Sequence, residues 1–150
     1  MMKKARIASG LALVAAALAV VVFSNVSERA QADDASAKSA RIYELRVYTT
    51  NDGKMEALHS RFRDNTNRIF VKHGMTLIGY WSPVDGDNKE NTLIYILGHE
   101  SREAAKKSWA AFGADEEWRE VYAASIADGR LLAEAPDSTF MNPTDYSPLR

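Results

Sequence analysis

The chain contains no cysteine. Disulfides, thiolate metal sites, thiol nucleophiles and a lipidated cysteine anchor are therefore excluded. It also lacks an excess of positive charge, with 19 Lys and Arg against 20 Asp and Glu and a formal net charge of −1. Such a balance does not track a phosphate backbone, so no nucleic-acid partner is expected. No phosphate-cradling glycine loop, dinucleotide fingerprint or Ser-His-Asp order is present. His99 opens the stretch HESRE, which lacks the second histidine of a zinc-protease helix. Asp85-Gly86-Asp87-Asn88 lacks the spacing and the terminal glutamate of a calcium loop and reads as a turn. No metal site is expected.

What the chain does have begins with a long uncharged run. Lys3, Lys4 and Arg6 precede Ile7 to Phe23, 17 residues without a charge, and Ala30-Gln31-Ala32 then offers small residues at signal-peptidase spacing. Residues 1–32 read as a signal peptide, which places the protein in the periplasm or outside the cell. The alternative is an uncleaved N-terminal anchor, the one expected route to a membrane. A cut after Ala32 removes four basic residues and one acidic residue, leaving 118 residues with 15 basic and 19 acidic side chains. A chain of that length can build one hydrophobic core.

Asp33 to Ala40, DDASAKSA, has nothing to bury and reads as a flexible tether before a domain over 41–150. Arg41 to Thr49 alternates with period two and is a strand, with Tyr43, Leu45 and Val47 on one face and Ile42, Glu44, Arg46 and Tyr48 on the other. After the turn Asn51-Asp52-Gly53, a helix is expected from Lys54 to His73, with Met55, Leu58, Phe62, Thr66, Ile69 and His73 on one stripe. Gly74 supplies the permissive residue past its end. Met75 to Trp81 and Thr92 to His99 read as strands around a polar loop. Ser101 and Asp115 have the chemistry of N-caps for two further helices, the first ending at Gly113, and a last strand is expected over Ser138 to Asn142. The order β-α-β-β-α-(α)-β is the α+β, ferredoxin-like arrangement, an antiparallel sheet with helices on one face. The strand over Thr92 to His99 is apolar on both faces, so the open side of the sheet requires a cover. A second copy of the sheet is the simplest one.

Four stretches, YELRVYTTNDGK (Tyr43–Lys54), FVKHGMTLIGYW (Phe70–Trp81), ADEEW (Ala114–Trp118) and TDYSPL (Thr144–Leu149), resemble the NIPSNAP family in their usual order. The family's Asp-Pro-Glu-Trp reads Asp115-Glu116-Glu117-Trp118 here, a loss of little consequence in a first helical turn. The resemblance implies a dimeric α/β barrel, in which two ferredoxin-like sheets face each other in a homodimer. Relatives within that superfamily use a cavity for heme or aromatic substrates, in cofactor-free oxygenation, heme degradation or isomerisation. No cofactor is expected from the residues themselves, with heme left open by those relatives.

Three groups of residues are candidates for function. His73, on the apolar stripe at a helix end, and His99, at the end of the third strand, are placed to approach each other and move protons. The structural reading is that His73 stabilises its helix terminus. Glu44 and Arg46, alternating on one strand, suit an acid and an electrostatic anchor; the structural reading is an ion pair within the dimer interface. Tyr80, Trp81, Trp109 and Trp118 suit an apolar ligand cavity between sheet and helices, with Arg46 anchoring a polar group, or else they are core. The function expected is binding of a small apolar or aromatic molecule by an exported homodimer. A cofactor-independent monooxygenase or isomerase in the same cavity, or a structural dimer acting through protein contacts, are the alternatives.

Overall fold

The computed structural model describes residues 41–149; the expected leader and tether lie outside the described residues. Strand β1 (Ile42–Thr49) leads into α1 (Met55–Arg61), a π-helical segment (Phe62–Thr66) and α2 (Asn67–Lys72). Strands β2 (Thr76–Trp81) and β3 (Thr92–His99) form a hairpin, and α3 (Arg102–Ala114) and α4 (Glu116–Ser125) precede β4 (Asp137–Met141). The four strands pair antiparallel in the order β2-β3-β1-β4, the ferredoxin-like topology that the element order predicts.

Register decides which side of the sheet is the core. Glu44 pairs with Leu97, Arg46 with Tyr95 and Tyr48 with Leu93, so these six residues share one face. Leu93, Tyr95 and Leu97 are buried under the helices, against Phe62, Phe70 and Phe112. The rings meet mostly edge to face, with Phe62 centred 5.3 Å from Tyr95 and 5.8 Å from Tyr48. Glu44 and Arg46 therefore lie on the helix-covered face, and an ion pair between copies of the sheet is not where the fold puts them. The opposite face carries Leu45, Val47, Ile94 and Ile96, all partly exposed. Trp81 is 50% exposed, and its indole lies over Gly79, where a Cβ would come within 2.6 Å of the ring.

The helix expected without interruption from Lys54 to His73 contains a π turn. The Asn67 N–H donates to the Phe62 carbonyl, five residues back, and the Thr66 hydroxyl donates to the Arg61 carbonyl at 3.1 Å. A wider turn delays the rotation of the helix, which brings Phe70 round to the core beside Ile69. Both expected caps form: Ser101 Oγ accepts from the Ala104 N–H at 3.0 Å, and Asp115 Oδ1 accepts from the Trp118 N–H at 3.2 Å. Helix α3 passes through Gly113 and ends at Asp115, which closes one helix and caps the next.

Candidate functional site

Among the described residues, Glu44 accepts four side-chain hydrogen bonds. Its side chain is 1% exposed on β1. His99 Nε2 on β3 and Trp109 Nε1 on α3 donate to Oε2 at 3.0 and 2.7 Å. Ser138 Oγ on β4 and Arg46 Nη1 donate to Oε1 at 2.7 and 3.0 Å. Burial alone would raise the Glu44 carboxyl. The donors from His99, Ser138 and Trp109, with the Arg46 charge, overcome that and hold it at about 2. An ionised carboxylate only accepts, so His99 carries its proton on Nε2, and its Nδ1 has no partner among the described residues. Arg46 lies 4.7 Å from the centre of a Trp109 ring, a cation held against an aromatic face. Glu44 thus ties β1, β3, β4 and α3 together, with its oxygens occupied.

His73 lies elsewhere. It closes α2, and its Nε2 lies 2.6 Å from Asp115 Oδ2, which also takes Lys72 Nζ at 2.7 Å. Lys72 first, then His73, hold the Asp115 carboxyl below its ordinary value. His73 and His99 are engaged by different carboxylates, Asp115 and Glu44, so the structure does not bring the two histidines into one site. Among the described residues no three His, Asp or Glu side chains are grouped so as to hold a metal ion.

The aromatic candidates separate as well. Trp109 and Arg46 belong to the Glu44 cluster. Tyr80 stacks on Tyr95 at 5.3 Å, and with Trp81 it borders an outer groove of about 240 Å³ beside His59 and Asn67. Of the four aromatic candidates, only Trp118 lines the partly open cavity between sheet and helices. That cavity has a volume of about 190 Å³, with Tyr48, Phe62, Phe70, Phe112 and Tyr122 among its walls. An apolar cavity of about 150 Å³ is already enough to admit benzene. A second chamber of about 220 Å³ shares Arg61, Tyr122, Leu132 and Pro136 with it and reaches the exposed residues Arg130 and Glu134.

Arg61 was not among the residues singled out by sequence. It is buried, donates from Nη1 to Ser125 Oγ at 3.1 Å, and lies over the Trp118 and Tyr122 rings. Burial pulls its guanidinium below the ordinary value, against the nearby phenols of Tyr48, Tyr122 and Tyr95. The available signal was its place three residues after Leu58, beside the inward stripe of the helix.

The sequence model of the NIPSNAP family matches residues 43–148. The chain belongs to the NIPSNAP family. Among solved structures, a NIPSNAP family protein of unknown function from Agrobacterium tumefaciens is 26% identical, with a TM-score of 0.64 over 75% of this chain and 96% of that one. A second family protein from the same organism is 26% identical, with a TM-score of 0.63 over 73% and 99% of the two chains. An uncharacterized NIPSNAP-like domain protein from Burkholderia xenovorans is 24% identical, with a TM-score of 0.63 over 73% and 90%. No match was found among curated proteins. Within this NIPSNAP domain, residues of the motif stretches meet in space. His73 of the second contacts Asp115 of the third, whereas Glu44 of the first takes its cross-element donors from His99, Trp109 and Ser138, outside the four stretches.

Proposed function

We propose that this NIPSNAP chain is an exported homodimer that binds a small apolar or aromatic molecule between its sheet and its helices. The observation that carries this reading is the cavity between sheet and helices with walls of Phe62, Phe70, Phe112 and Trp118. An aromatic-lined space with few polar groups is the usual form of a small-molecule site. Binding is favoured over turnover because none of His73, His99 and Glu44 lines that cavity, which leaves the proton-moving candidates away from any ligand in it.

A second copy is the cover that suits the open face of the sheet, where Leu45, Val47, Ile94, Ile96 and the half-exposed Trp81 form an apolar surface. Export rests on the basic start, the uncharged run and the Ala30-Gln31-Ala32 stretch. Native mass spectrometry of the protein taken from the envelope of its own host tests all three parts. Chains beginning near Asp33, paired, and carrying a small extra mass are the expected result. A monomer would remove the second copy, and full-length chains would replace the cut leader with an anchor. A dimer that neither carries nor takes up any apolar compound would remove the binding role.

A further inference from the structure

Arg61 is a cation buried to 7% exposure without a counter-ion. No carboxylate among the described residues pairs with it, and burial, the largest influence on its charge, pulls the guanidinium below its ordinary value. Among the described residues its Nε has no hydrogen-bond partner, and its one side-chain hydrogen bond goes to a neutral hydroxyl, Ser125 Oγ. A guanidinium keeps its charge under any ordinary condition, so a buried one is costly unless an anion completes its surroundings. The surrounding groups are aromatic rings, with Trp118 and Tyr122 centred 5.4 and 5.7 Å from its carbon.

Its position is the second observation. Arg61 lines both the aromatic cavity and the second chamber, so it stands where the two share a wall. It also immediately precedes the π segment, and its carbonyl takes the Thr66 hydroxyl that helps to hold the widened turn. Single π turns inside α-helices recur at functional sites. Here the turn adjoins the one inward charge facing the cavity.

We infer that the cavity takes an organic carboxylate, an acid with an aromatic or apolar body whose carboxylate group is held by Arg61. The body would lie among Phe62, Phe70, Phe112 and Trp118. The planar fork of a guanidinium matches a carboxylate in two parallel hydrogen bonds, and its unpartnered Nε supplies one of the donors. A monoanion also matches the charge better than a dianionic phosphate. The second chamber is lined by Arg61, Arg130 and Glu134, so its walls carry a net positive charge. The inference rests on the cavity being a binding site, and the test separates the two.

The probes are phenylpropionate and phenylpropionamide, which share a one-ring body and differ in charge. Each is titrated into the whole protein by calorimetry, with intrinsic tryptophan fluorescence as a second readout. Phenylpropionate should bind the wild type about tenfold more tightly than the amide, as a charge-assisted hydrogen bond supplies. Arg61→Met should abolish that preference by weakening phenylpropionate more than the amide, and Arg61→Lys should keep part of it. Equal binding of both probes to the wild type would overturn the carboxylate assignment and leave the cavity reading intact. Binding of neither would overturn both. That comparison needs no variant, so it decides even if Arg61→Met fails to fold. A preference that survives in a well-folded Arg61→Met protein would also overturn the role of Arg61.

Discussion

Glu44 and Arg61 are both buried charges in the layer between sheet and helices, and they are treated in opposite ways. Glu44 takes four donors from three strands and a helix, one of them the charged Arg46. Arg61 has one neutral hydroxyl, two aromatic faces and an unpartnered Nε. A carboxylate surrounded in that way holds elements together and has no lone pair left for chemistry. A guanidinium without an anion contributes little to the fold it is buried in. In this molecule the satisfied charge belongs to the scaffold, and the unsatisfied one is where we propose that a ligand is held. That distinction separates residues that look equally interesting by type.

The largest expected effect comes from removing the satisfied charge. Glu44→Ala would strand the His99, Trp109 and Ser138 donors and leave Arg46 buried without its carboxylate. Breaking a buried pair in this way costs about 3–5 kcal/mol. Urea unfolding should show a matching fall in midpoint without a change in slope. A cost below about 1 kcal/mol, the range of an exposed ion pair, would break the contrast at its stronger end.

Acid should act through the same residue. Glu44 stands at about 2 in the fold against an ordinary 4.5. A carboxyl depressed by folding contributes stability that is complete above its unfolded value and lost as pH falls through the folded one. Each tenfold change in proton affinity is worth about 1.4 kcal/mol, so Glu44 contributes about 3 kcal/mol, which should disappear between about pH 4.5 and 2. Asp115 is also depressed and loses its contribution in the same direction. The difference between wild type and Glu44→Gln, followed from about pH 6 downward, isolates Glu44. Parallel curves for the two proteins would show that the carboxylate is not held as the geometry requires.

Asp115→Ala should have a smaller effect. It removes the N-cap of α4 together with the contacts to His73 and Lys72, at about 1–2 kcal/mol. His73→Ala loses only one of those contacts and should cost less than Asp115→Ala. The reverse order would mean that His73 has a part beyond its helix end.

How much of this could be read in the sequence follows from which contacts are local. The strands, the Ser101 and Asp115 caps and the topology were legible because alternation and capping act within a few residues. The covered side of β1 was not. Alternation separates Glu44, Arg46 and Tyr48 from Tyr43, Leu45 and Val47, but only pairing with β3 and packing under the helices choose between the two sets. The π turn was hidden because Arg63, Asp64, Asn65 and Thr66 suit either kind of helix. The partner of His73 is 42 residues away, beyond any spacing rule. Arg61 was visible beside Leu58, but its lack of an anion is a tertiary fact.

The smallest expected effect on stability is the most diagnostic. Arg61→Met keeps a flexible, unbranched but shorter side chain, replaces a buried charge with an apolar group and gives up one hydrogen bond to Ser125. The lost hydrogen bond costs about 1 kcal/mol, and relief of the unpaired buried charge offsets that or more. The variant should therefore unfold within about 1 kcal/mol of the wild type, or later than it, which a thermal melt monitored by circular dichroism can resolve. A fall as large as that of Glu44→Ala would mean that Arg61 has structural partners of comparable strength, and the contrast between the two buried charges would end there. A variant as stable as the wild type, or more so, would leave the fold no reason to keep an arginine in that wall and would point to a ligand as the reason for its presence.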